Sequence, residues 1–343
     1  MMKRSTKILL ALLLLLGGAT AAYFLAGRSS GAGMGGWDRK FKVEDPESIH
    51  KIFLADRRGN QTTLIRTGDK WIYNGAHPAN PNIMKNLLEA ITRVELQYIP
   101  PTSATKPMVE DLAANGIKVE VYGKGDKLLK AYYVGGTTPD ERGTIMIMEN
   151  AEQPYVTQIP SMVGAIRGRY AITGDDWRDK ALFSMKPEDI RFVSIEYPRL
   201  KNRSFILERS GEEFNIRPFY EVTPTINAPY KKGSGEQFLE GFEGIIIEAF
   251  ENDNPLRDSI TQRIPFSIIT LKTKSGEDLT LRMHPAISSN RFLETGPPVY
   301  EHYLVEASPS NDFMLVQDRI VSRIHWGYDF FFVDQNKKET QSQ

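Results

Sequence analysis

The sequence predicts an α+β protein built from two tandem α/β repeats, each a mainly antiparallel sheet with two helices, after one N-terminal transmembrane helix. Three observations carry this expectation. A short pattern, L-x-R-x-G-x-x-aromatic, occurs twice: at Leu64, Arg66, Gly68 and Trp71, and again at Leu207, Arg209, Gly211 and Phe214. Each copy reads as a β-hairpin, with an alternating strand, a turn in which glycine tolerates positive φ, and a second strand opening on an aromatic. Ile49, Ile52 and Leu54 precede the first copy at the same spacing as Ile190, Val193 and Ile195 precede the second. A helical pattern follows each copy, and matches on both sides of a hairpin mark a duplicated unit. Finally, residues 8–27 carry no charge, and as a helix they span about 30 Å, the hydrocarbon thickness of a bilayer.

Residues 1–36 are read as a signal anchor and flexible tether. Lys3, Arg4 and Lys7 flank the apolar run, and such a basic flank stays cytoplasmic. This predicts an inner-membrane, single-pass protein with its C-terminal domains in the periplasm. A cleaved signal peptide competes, with Ala19-Thr20-Ala21 as its small-x-small site. Tyr23, Phe24 and Leu25 extend the run past that site and favour a retained anchor. Gly31, Gly33 and Gly36 have the spacing of a dinucleotide fingerprint. No strand precedes them and no helix follows to hold a pyrophosphate, so they are linker.

The first repeat is expected over residues 37–170. Strands are placed near residues 49–55, 62–66 and 70–73. Asn80-Pro81 then opens a helix, Asn as N-cap and Pro in the first turn. Leu87, Ile91 and Val94 recur at helical spacing and give it one packed face. Further strands are placed at 118–122, 128–134, 144–148 and 155–158. A short helix from Pro160 would turn Met162, Val163 and Ile166 inward. Residues 171–188 form an ordered connector, whose interdomain residues would be Trp177, Arg178, Asp179 and Phe183, with Trp177 and Phe183 wedged between the repeats.

The second repeat, residues 189–333, follows the same order. Strands are expected near 192–197, 204–209 and 213–217. Ser234 would cap a helix carrying Leu239, Phe242 and Ile246. Strands at 267–273, 278–283, 301–306 and 313–316 follow, then a helix with Ile320, Val321 and Ile324. The aromatic stretch 326–333 docks on the domain, and residues 334–343 are a polar tail. Connections mostly too short for parallel crossovers argue for mainly antiparallel pairing.

Composition excludes several function classes. The chain has 343 residues, 41% hydrophobic and 25% charged, with 43 basic and 43 acidic side chains. That interspersed neutrality argues against nucleic acid, which selects a concentrated basic face. There is no cysteine, so disulfides, thiolate catalysis and zinc–thiolate sites are excluded. His50, His77, His284, His302 and His325 are scattered without metal-ligand spacing. The acidic groups around Asp175 and around Glu251 lack the calcium-loop pattern. Neither a G-x-S-x-G elbow nor a P-loop is present. No catalytic residue, cofactor or metal is therefore expected.

Three connections of the second repeat, residues 218–233, 252–264 and 286–300, exceed the usual loop length, a mark of functional segments. They carry Tyr220, Tyr230, Arg257, Arg263, Arg291 and Phe292. Tyrosine and arginine dominate binding hot spots, so these six are the expected partner-binding residues.

The lead Trp37, the hairpin ending in Trp71, Tyr133-Val134-Gly135-Gly136, Pro154-Tyr155-Val156, Arg169-Tyr170 and Trp177-Arg178-Asp179 together resemble domain-of-unknown-function family 4340. The resemblance covers most of the exported part and implies a bacterial envelope protein. Related domains are linked to gliding-motility ABC transporter systems, and the family supplies no catalytic residues to carry over. The expected role is a non-enzymatic accessory or scaffold protein of an envelope complex, with an ABC-type transporter as candidate partner. The alternative is a periplasmic small-ligand or glycan-binding protein using the cleft between the repeats.

Overall fold

A computed structural model describes residues 36–183, 185–286 and 300–333. The expected anchor at residues 8–27, the polar tail, Arg291 and Phe292 lie outside the described residues. Among the described residues, no helix is long and apolar enough to cross a membrane. The chain divides after Arg178 into two compact units.

The first unit runs β1 (Lys51–Ala55), β2 (Gln61–Thr67), β3 (Lys70–Tyr73), β4 (His77–Pro78), α1 (Pro81–Arg93), β5 (Glu95–Tyr98), α2 (Thr102–Asn115), β6 (Ile117–Tyr122), β7 (Leu128–Thr137), β8 (Thr144–Met148) and β9 (Tyr155–Gln158). These strands form one sheet in the order β4-β3-β2-β1-β6-β7-β8-β9-β5, with antiparallel neighbours. Helix α1 starts where the sequence places it. The Asn80 side chain accepts hydrogen bonds from the backbone N–H groups of Asn82 at 3.0 Å and Ile83 at 3.3 Å, satisfying donors that an uncapped first turn leaves open. Its buried stripe, Met84, Leu87, Ala90 and Ile91, closes the main core with Ile52, Leu54, Leu64, Trp71 and Val119. Helix α2 covers the opposite face, where Leu112 packs with Ile145 and Ile147.

The second unit runs β10 (Ile190–Glu196), β11 (Phe205–Ser210), β12 (Glu213–Pro218), α3 (Ser234–Glu240), β13 (Ala249–Phe250), α4 (Arg257–Thr261), β14 (Ser267–Thr273), β15 (Asp278–Ala286), β16 (His302–Ser308), β17 (Phe313–Gln317) and α5 (Asp318–Val321). Its sheet order is β12-β11-β10-β14-β15-β16-β17-β13, the first unit's order without a counterpart of β4. The faces match as well: α3 closes the main core through Phe238 and Leu239, and Ile260 of α4 packs with Leu304 and Phe313 on the other face. The duplication extends to register. Ile52 pairs with Leu64 and Val121, as Val193 pairs with Leu207 and Leu271. Arg66 faces Trp71, as Arg209 faces Phe214. Gly68 and Gly211 have φ of 60° and 62°, the turn geometry that the shared motif implies.

The structure differs from the sequence expectations at several points. No helix forms from Pro160: Ser161 and Gly164 have positive φ, which breaks a right-handed helix, and Val163 is 94% exposed. Ser234 does not cap α3; Gly233 stands at the cap, and the Ser234 hydroxyl is buried without a hydrogen bond among the described residues. The helix then ends early. Gly244 turns at φ 68°, so Ile245 and Ile247 enter the core while Ile246 faces out. Helix α2 and the short α4 carry no clear sequence signal, since α2 contains Pro107 and buries only Leu112. Phe214 is half-buried, with the Arg209 guanidinium over its ring, whereas Trp71 is buried.

Candidate functional site

The connector residues divide between the units. Trp177 is fully buried in the first core; its indole N–H donates to the Ile172 carbonyl at 2.8 Å, and its own carbonyl accepts from Asn80 N–H at 2.8 Å. No ring face is left for stacking a ligand. Arg178 is buried and pairs with Asp175 at 3.5 Å. Asp179 accepts from the Ala181 N–H, and Phe183 packs edge-on against Phe242 in the second core, 5.2 Å between centroids.

The expected partner residues separate into two kinds. Tyr220 and Arg257 are engaged within their own unit. Tyr220 donates its hydroxyl proton to Glu196, and burial together with that carboxylate pushes the phenol up to about 12. Arg257 donates to the backbone and side-chain oxygens of Asn311 at 2.7 and 2.9 Å and lies over the Phe313 ring. Tyr230 is 40% exposed, although its oxygen accepts the Gly235 N–H. Arg263 is exposed.

More informative is the apolar surface beside the outer-face helices. In the second unit Leu256 and Ile264 flank α4 and are 60% and 59% exposed. In the first unit Tyr98 and Ile99 lead into α2, and Val109 lies on it; all three are exposed, Ile99 by 54%. Sequence reasoning missed these residues because it placed neither helix. The available signal was an apolar pair beside Pro100-Pro101 and isolated apolar residues within a polar loop.

The first unit also holds a cavity of about 340 Å3 at the end of β1, bounded by the β1–β2 turn, the end of α2, the start of β6 and residues 167–173. Asp56 organises the turn: its carboxylate accepts from Arg58 N–H, Asn60 N–H and the Asn60 side chain at 2.9, 3.0 and 2.8 Å. Burial opposes its ionisation, but these hydrogen bonds and the Arg58 charge hold the carboxyl below its usual range. Arg167 donates to the carbonyls of Val134, Gly135 and Asn115 at 2.9, 2.7 and 2.7 Å, which ties the last carbonyl of α2 to β7. Among the described residues, no group of histidine and carboxylate side chains is arranged to hold a metal.

Two antiparallel sheets of one strand order, each with a helix on either face, define a tandem-repeat α+β protein. The chain belongs to the family described as Domain of unknown function (DUF4340), whose model matches residues 74–258, over half of the chain and parts of both repeats. No curated protein and no solved structure matches it.

Proposed function

We propose that this protein is a non-enzymatic scaffold of an envelope complex, held in the inner membrane by residues 8–27, with both repeats in the periplasm. The observation that supports this reading is the exposure of large apolar side chains beside the second helix in each repeat: Tyr98, Ile99 and Val109 in one, Leu256 and Ile264 in the other. Apolar surface beside polar rims marks contact sites for other proteins. Its presence at the corresponding place in two copies of one frame suits a subunit that engages protein partners through both repeats. The expected partner is an envelope assembly such as an ABC-type transporter, in line with the family resemblance.

Crosslinking in membranes followed by co-purification tests the reading. Ile99→Asp combined with Leu256→Asp and Ile264→Asp removes the partner crosslinks, while stability changes by no more than about 0.5 kcal/mol per site, as for exposed positions. Crosslinks that persist in this variant rule out these surfaces as docking sites. The anchor is checked separately: the protein sediments with membranes and retains its own N-terminus, and a mature chain beginning near Ala22 would overturn it.

A further inference from the structure

We propose that the cavity at the end of β1 in the first unit binds a small molecule bearing a phosphate or carboxylate group, a site independent of the docking surfaces. Its volume, about 340 Å3, falls in the range of small-molecule pockets. Its lining carries an excess of positive charge. Three arginines, Arg57, Arg58 and Arg167, are among its lining residues, against Asp56 as the single acidic one. Among the described residues none of the three arginines forms an ion pair. Arg57 lies over the Tyr133 ring at 5.9 Å, and Arg167 is held by backbone carbonyls alone. Three of the five Arg167 N–H donors are used there, leaving its Nε–H and one Nη2–H. A guanidinium fixed by carbonyls and lacking a carboxylate is preorganised for an anion, because its position is already set and its charge is not neutralised.

The second unit shows that the frame does not require this space. Asp56 follows β1 as Tyr197 follows β10, and Gly116 precedes β6 as Phe266 precedes β14. In the second unit Tyr197, Phe266, Tyr303 and His325 fill this corner with packed rings. Centroids are 5.7 Å apart for Tyr197–Phe266, 5.2 Å for Phe266–His325 and 5.4 Å for Tyr303–His325, and the Tyr197 hydroxyl closes onto the Trp326 carbonyl at 2.8 Å. In the first unit no side chain can take the place of Phe266, since a Cβ at Gly116 would lie 2.2 Å from the Leu112 oxygen. One copy of the frame fills the corner with aromatic rings. The other keeps it open, lined by arginines and by the polar groups of Asn60, Thr62 and Thr173.

The test uses the full-length chain in mild detergent, titrated by calorimetry with inorganic phosphate and, separately, with citrate at constant ionic strength. Saturable binding of one or both anions is expected; the stronger of the two identifies the ligand's acidic group. Arg57 and Arg58 are exposed, so Arg57→Gln with Arg58→Gln keeps the melting temperature and raises Kd by about tenfold or more, as for lost charged hydrogen bonds. Ala171→Phe, which places a ring at a lining position as rings fill the second unit, abolishes binding. Absence of saturable binding for both anions overturns the proposal. So does binding that the folded Arg57→Gln/Arg58→Gln protein retains at unchanged affinity, whatever the behaviour of Ala171→Phe.

Discussion

His325 shows how burial sets a residue's chemistry. It lies among Tyr197, Phe266 and Tyr303, and its Nε2 is 3.2 Å from the Ser267 hydroxyl. Burial, assisted by the nearby Arg203 charge, pushes it down to about 4. The unfolded chain takes up this proton near pH 6.5 and the folded protein only near 4, so the unfolded state binds more protons between them. The stabilisation is complete above pH 6.5 and is lost as pH falls towards 4, by on the order of 3 kcal/mol for one such group. His284 is shifted in the same direction, mainly by burial, and adds to the slope. Urea denaturation across this window checks the expectation: stability decreases on acidification, and His325→Phe flattens the decrease. An unchanged slope in that variant would remove His325 as its source.

At the scale of elements, the two hairpins are the clearest repeated feature. Gly68 and Gly211 close the β2–β3 and β11–β12 turns with φ near 60° in each case. No atom lies near where a Cβ would stand at either position, so the cost of a side chain there is conformational rather than steric crowding. Gly68→Ala and Gly211→Ala therefore each destabilise by about 1–2 kcal/mol, the usual penalty for a left-handed L-residue. Asn at the same positions costs less, because its short polar side chain tolerates that region. Thermal melts of the four variants test this, and equal melting temperatures for the Gly and Ala forms would contradict it.

At the scale of the molecule, each repeat closes its own core: Trp71 and Trp177 belong to one, Phe183 and Phe238 to the other. A chain beginning at Trp37 is expected to unfold in two calorimetric transitions, since separate cores break all-or-none behaviour. Trp71→Ala leaves a large void in the first core and costs about 3–5 kcal/mol. It lowers one transition and leaves the other in place; a uniform fall of both would show that the cores unfold as one.

The amino-acid sequence by itself determined the duplication, the hairpins, most strands and the start of α1. These are local: alternation, a glycine turn and an Asn-Pro cap are set by neighbours along the chain. Tertiary structure decided the rest. Pro107 and a single buried leucine gave α2 no periodic face, yet packing on Ile145 and Ile147 holds it as a helix. Tyr220 and Arg257 read as free contact residues, but Glu196, Asn311 and Phe313, distant in sequence, engage them. The cavity beside Arg167 was not legible, because its walls come from three separated segments. Only folding sets whether the corner they bound is filled by rings, as in one repeat, or left open beside arginines, as in the other.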